Sequence, residues 1–127
     1  METPQPRILV SHQLSVYAES LVAVLAEIRP CFQITQSVPT ELDDALTRAP
    51  GAVVISDRLT PTVAAQTSGW LLYYPDQANV AVVGGGSGEE RIDNPDFPDI
   101  LAAVDRLVAW CFPTFANPGA RCASTPA

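Results

Sequence analysis

The residues with the most chemical potential each follow a short apolar run. His12 and Gln13 come just after Ile8-Leu9-Val10, Asp57 after Ala52 to Ile55, and the cluster Gly84-Gly85-Gly86-Ser87 after Val80 to Val83. Groups at the ends of apolar strands are how open α/β sheets assemble binding sites. His12 is the only histidine, and no cysteine lies near it in sequence. A metal centre is therefore not expected, and no Ser-His-Asp or Cys-His set can be drawn. A solvated or hydrogen-bonded imidazole is the favoured reading of His12, although a protonated His12 beside Asp57 would make a pH-sensitive pair. Asp57 reads as an anion-sensing group or, preferably, as a strand-end aspartate capping the loop before Thr60. Residues Gly84, Gly85, Gly86 and Ser87 could cradle an anion with backbone N–H groups. They lack the lysine of a phosphate-binding loop and the spacing of a dinucleotide fingerprint. Glu89 and Glu90 would repel phosphate, so a plain loop is favoured. Asp43, Asp44, Asp93 and Asp99 fall at helix starts or loops, where solvation and the helix dipole account for them.

Alternating strands and helices are expected to position these groups. Arg7 to Val10 reads as a buried strand. Leu14, Tyr17, Leu21, Val24, Leu25 and Ile28 recur at helical spacing and predict one apolar face, and Pro30 ends the helix. Phe32 to Gln36 suggests a second strand. Thr40 is a cap for a short helix with Leu42, Ala45, Leu46 and Ala49 inward. Ala52 to Ile55 has the β-branched pattern of a strand covered on both faces. Thr60-Pro61 starts a weakly patterned helix with Val63, Trp70 and Leu71 inward and Pro75 at its end. Val80 to Val83 is a further buried strand. Asp96 caps the last helix, whose face is Ile100, Leu101, Val104, Leu107 and Val108. The predicted core includes Leu21, Val24, Val54, Val82, Leu101 and Val104. This order predicts a flavodoxin-like, doubly wound parallel sheet of four or five strands.

The chain has 127 residues, 47% of them hydrophobic, which suits one small domain with a real core. Residues 1–6 read as a flexible arm, 7–112 as the domain and 113–127 as a disordered tail. No run is long enough to span a membrane and no signal peptide is expected. The net charge is −7, and seven arginines with no lysine carry all the positive charge. Scattered arginines in an acidic chain speak against nucleic-acid binding. Cys31, Cys111 and Cys122 lack metal spacing and are expected to be reduced thiols in a cytoplasmic protein.

The segment RILVSHQLSVYAESLVAVL, Arg7 to Leu25, resembles the opening of a response-regulator receiver domain of the LuxR-type transcription factors, with its acidic pair replaced. PGAVVISDRLTP is similar to the third strand and phosphoacceptor loop of that family, with Asp57 four residues before Pro61. DFPDILAAVDRLV is similar to its final helix. The resemblance covers roughly residues 7 to 110. It implies a site that holds Mg²⁺ with two acids, but those positions are His12 and Gln13. Magnesium wants oxygen ligands to offset phosphoryl charge. The phosphoryl-binding Thr or Ser falls at Gly84, and the family's lysine has no counterpart. Between Gly84 and Pro98 there are too few residues for a helix, a strand and two loops. The fourth helix is therefore expected to be missing and a fifth strand to be a short piece near Arg91 to Asp93.

These readings converge on a degenerate receiver-like module that is not an enzyme, takes no cofactor and works through protein partners. The alternatives are a small-ligand or anion-binding domain using His12, Asp57 and the glycine loop, and an atypical receiver phosphorylated on Asp57. A homodimer is expected, with Val80, Val82, Phe112 and Phe115 as interface residues, because an exposed Val80–Val83 strand would be an adhesive edge.

Overall fold

The computed structural model describes residues 6–48, 51–67, 69–74, 79–85 and 88–112. The first apolar run forms β1 (Arg7–Ser11), followed by helix α1 (Ser15–Ile28) and β2 (Gln33–Gln36). A 3-10 turn at Pro39–Glu41 leads into α2 (Leu42–Arg48), then β3 (Val53–Ser56) and the short α3 (Pro61–Gln66). Three strands follow in succession: β4 (Gly69–Tyr74), β5 (Val80–Gly85) and β6 (Gly88–Asp93). Helix α4 (Phe97–Cys111) closes the described chain.

The six strands form one sheet in the order β2-β1-β3-β4-β5-β6. The first four run parallel, with Ile8 opposite both Ile34 and Val53, and Val54 opposite Trp70. β5 is antiparallel to β4, and β6 is antiparallel to β5. The fold is thus α/β with a mixed sheet, which corrects the expectation of a wholly parallel one. The cause is connection length. A parallel crossover takes about a dozen residues or more. The twelve positions between Ser56 and Gly69 allow one, whereas the five between Tyr74 and Val80 and the two between Gly85 and Gly88 do not.

Trp70 and Leu71 are also corrected: they lie in the interior strand β4, not on a helix. The six-residue run GWLLYY is apolar throughout, with no helical period, and rich in aromatics that favour a pleated surface. Thr40 falls inside the 3-10 turn and does not cap α2. Thr60 does cap α3: its hydroxyl oxygen accepts from the Val63 amide at 3.1 Å and donates to Asp43 Oδ1 at 2.8 Å, joining α3 to α2. Asp96 caps α4 in a reciprocal box with Asp99.

Two apolar layers sandwich the sheet. Ile8, Val10, Val53, Ile55, Leu71 and Ala81 face α1 and α4, packing on Leu25, Ile100, Val104 and Val108. Leu9, Val54, Trp70 and Leu72 face α2 and α3, packing on Leu42, Leu46 and Val63. Of the predicted core, Val54 and Val104 are fully buried, while Leu21, Leu101 and Val82 are half-buried against it. Val24 is exposed at 37%, because α1 turns Ala18 and Leu25 inward and leaves Leu14, Tyr17, Val24 and Ile28 along its flank. No described helix lies between β5 and β6, and the short piece expected near Arg91 to Asp93 is a full six-residue strand.

β5 is consequently an interior strand paired on both sides, which removes the open edge attributed to Val80 and Val82. Phe112 is half-buried against the α1–α4 layer, and Phe115 lies outside the described residues. Cys31 is disulfide-bonded, which corrects the expected reduced thiol there. Cys111 is a free thiol, and Cys122 lies outside the described residues. No described helix is long and apolar enough to cross a membrane.

Candidate functional site

His12 stands one residue beyond β1, at the carboxyl edge of the sheet, and is only 8% exposed. Its Nδ1 accepts from the Leu14 backbone N–H at 3.0 Å, and its Nε2 lies 3.1 Å from the Tyr73 carbonyl oxygen. An acceptor on one nitrogen and a donor on the other assign the neutral Nε2–H tautomer. The imidazole therefore fastens the start of α1 to β4. Gln13 is exposed, and its backbone N–H donates to Asp57 Oδ2 at 3.4 Å. The fold thus gathers His12, Gln13 and Asp57 at one edge. It does not pair His12 with Asp57, since both imidazole nitrogens are engaged elsewhere.

Gly84 is not part of this group. It sits in β5 opposite Trp70 and Glu89, toward the amino end of β4, so it lies at the other edge of the sheet. The antiparallel turn of β5 is the reason: its carboxyl end points away from those of β1, β3 and β4. A Cβ at Gly84 would fall inside the Trp70 indole, so this glycine is required by packing. Gly85 is exposed at the strand end, and Gly86 and Ser87 lie outside the described residues. Glu90 beside this hairpin is held by Arg106, whose NH1 lies 3.0 Å from Oε2.

Sequence reasoning missed an apolar concave feature at this edge of the sheet. A cavity of about 190 Å³ opens between the amino-terminal halves of α1 and α4, above the carboxyl ends of the strands. Val10, Ile55 and Leu71 form its floor, and Ala18, Leu21 and Ile100 form its walls. His12, Tyr17, Tyr73, Asp96 and Phe97 complete the lining. The rings of His12 and Tyr17 are 5.8 Å apart, and Tyr17 meets Tyr73 edge-on at 6.0 Å. Such T-shaped contacts are favourable ring geometry. The Tyr73 hydroxyl donates to Asn79 Oδ1 at 3.3 Å. Desolvation by burial, followed by the neighbouring Tyr17, pushes the Tyr73 phenol above its usual range. It is a neutral hydrogen-bonding group at physiological pH. The signal for Tyr73 was the tandem tyrosine in GWLLYY, and it became readable only once that run was a strand.

An ion pair joins the two helices beyond the cavity. Arg29 just past α1 grips Asp105 in α4 through two bonds, Nε to Oδ1 at 3.0 Å and NH2 to Oδ2 at 2.6 Å. The hydrogen bond to Asp105 raises the Arg29 guanidinium above its ordinary value, against the opposing effect of burial. Farther along α4, burial pushes the Cys111 thiol up to about 11, so it is an inert thiol at neutral pH. Among the described residues no group of three His, Cys, Asp or Glu side chains is placed to hold a metal ion. No protein-family model, curated protein or solved structure matches this chain.

Proposed function

We propose that this chain is a non-catalytic regulatory module, receiver-like in its first four strands, that acts through protein contacts and does not accept phosphate. One observation carries the reading. His12 occupies the strand-end position where phosphoryl transfer would need a Mg²⁺ carboxylate, and both of its nitrogens are committed to backbone groups. It has no free lone pair for a metal, and Mg²⁺ favours oxygen. Gln13 beside it carries no charge, and its backbone amide occupies one oxygen of Asp57. The strand order 2-1-3-4 supports the receiver-like part.

The partner surface in this reading is the exposed flank of α1, where Tyr17, Val24 and Ile28 lie in one stripe. A second copy of the chain is the proposed partner, since two-fold dimers are the commonest soluble assemblies. Incubation with acetyl phosphate or beryllofluoride and Mg²⁺ tests the phosphate half of the proposal. Intact-mass and calorimetric measurements are expected to show no adduct and no binding. Stoichiometric modification of Asp57 would identify an atypical phosphorylated receiver instead.

A further inference from the structure

We infer that the cavity between α1 and α4 is a binding site for a small aromatic amine, a single ring carrying a protonated amino group on a short chain. This deepens the non-catalytic reading by giving the module a ligand, and it does not depend on how Asp57 behaves. Size is the first argument. A dry cavity of about 150 Å³ holds benzene, so about 190 Å³ holds one ring with a short substituent. The second is lining. The floor and walls are aliphatic, and apolar pockets with a few convergent polar groups are what small ligands occupy. Its place above the carboxyl ends of β1, β3 and β4 is where open α/β sheets bind ligands.

Charge decides the class. Among the described residues lining the cavity, Asp96 is the one bearing a formal charge, and no arginine is with it. Asp96 Oδ1 accepts from the Asp99 amide at 3.0 Å, which leaves carboxylate lone pairs for a ligand. Tyr17 and Tyr73 add aromatic rings to the lining and no positive charge. The net charge of −7 acts in the same direction at longer range. A ring in the apolar chamber with its ammonium at Asp96 satisfies all of these groups, whereas a carboxylate there would meet a like charge.

Three probes of one shape separate the possibilities: 2-phenylethylamine, 2-phenylethanol and phenylacetate, titrated into the full chain by calorimetry and protein-detected NMR. The amine is expected to bind about three- to tenfold more tightly than the alcohol, with phenylacetate weakest. Shifts should centre on Leu21, Tyr73 and Ile100. Asp96→Asn keeps a good helix cap and removes the charge, so it should bring the amine down to the alcohol and leave the thermal midpoint in place. Ser20→Trp, on the exposed rim, should plug the chamber and abolish binding of all three. Val24→Trp is a second plug if the first variant does not fold. Equal or tighter binding of phenylacetate, an amine preference that survives Asp96→Asn, or no saturable binding of any probe at millimolar concentration would each overturn the assignment.

Discussion

Gly84 shows how one residue type can advertise chemistry and serve packing. In sequence it belongs to a glycine cluster that could hold an anion. In the fold its missing side chain makes room for the Trp70 ring, which spans the β4–β5 pair on the face of α2 and α3. Overfilling a packed site typically costs about 1–3 kcal/mol. Gly84→Ala is therefore expected to lower the denaturation midpoint by that order and to red-shift Trp70 emission as the indole is expelled. An unchanged midpoint and spectrum would show that the ring has room to move. His12 carries the same lesson in reverse. A lone imidazole at a strand end invites a catalytic reading, yet its two hydrogen bonds make it a fastener between α1 and β4. The sequence supported a hydrogen-bonded histidine, but its partners lie 2 and 61 positions away, and no local pattern names the second.

At the scale of elements, the parts with strong periodicity or clear capping chemistry were readable. β1, β3 and α4 fall where apolar runs and the Asp96 cap put them. Legibility failed at α1 and β4. The apolar stripe of α1 is wider than the face it buries, so spacing alone could not tell Leu25, which is buried, from Val24, which is not. β4 was hidden because a six-residue apolar run has no period of its own, and the proline after it also suits the end of a helix. The aromatic cavity was illegible for the same reason, since it needs Tyr73 on a strand and Tyr17 on a helix flank. The clamp between α1 and α4 joins residues 76 apart and left no sequence signal at all. It is two-pronged and largely shielded from solvent, so its coupling should exceed that of a surface ion pair. A double-mutant cycle with Arg29→Met and Asp105→Asn is expected to return a coupling of about 1–2 kcal/mol. A value near zero would mean that packing alone sets the spacing of the helices.

At the scale of the whole molecule, both ends of the sheet are polar. β2 exposes Gln33, Thr35 and Gln36, and β6 exposes Glu89, Glu90, Arg91 and Asp93. The charged β6 edge opposes pairing with another sheet, so strand addition at the β5–β6 end, the route first suggested by Val80 to Val83, is disfavoured. The apolar surface that remains is on a helix. Light scattering over a dilution series is expected to show a dimer, and Ile28→Glu to shift it to the 13.5 kDa monomer. Ile28 is exposed and does not line the cavity, whereas Tyr17 and Val24 belong to both the stripe and the cavity lining, so the ligand titrations are repeated on the Ile28→Glu monomer, in which no second copy covers the mouth. A monomer at every concentration would remove self-association from the proposal. The overall class, α/β with helices on both faces, was legible from alternation of elements. The mixed sheet was not, because its direction is set by the lengths of connections between strands, one of which had been read as a helix.

The pairing of the first helix with the last has a consequence in time. The ribosome releases β1 and α1 early, and α1 packs on β1 and β2, but the rest of the same layer, over β3, β4 and β5, is covered only when α4 arrives. About 70 residues separate Ile28 from Phe97, and at roughly 5–20 residues per second their synthesis takes roughly 4–14 seconds. Throughout that interval the nascent chain carries an oily, half-built layer that nothing within it can close. A message broken before the codon for Phe97 would yield a product that stays open on this side, a substrate for chaperones and proteases.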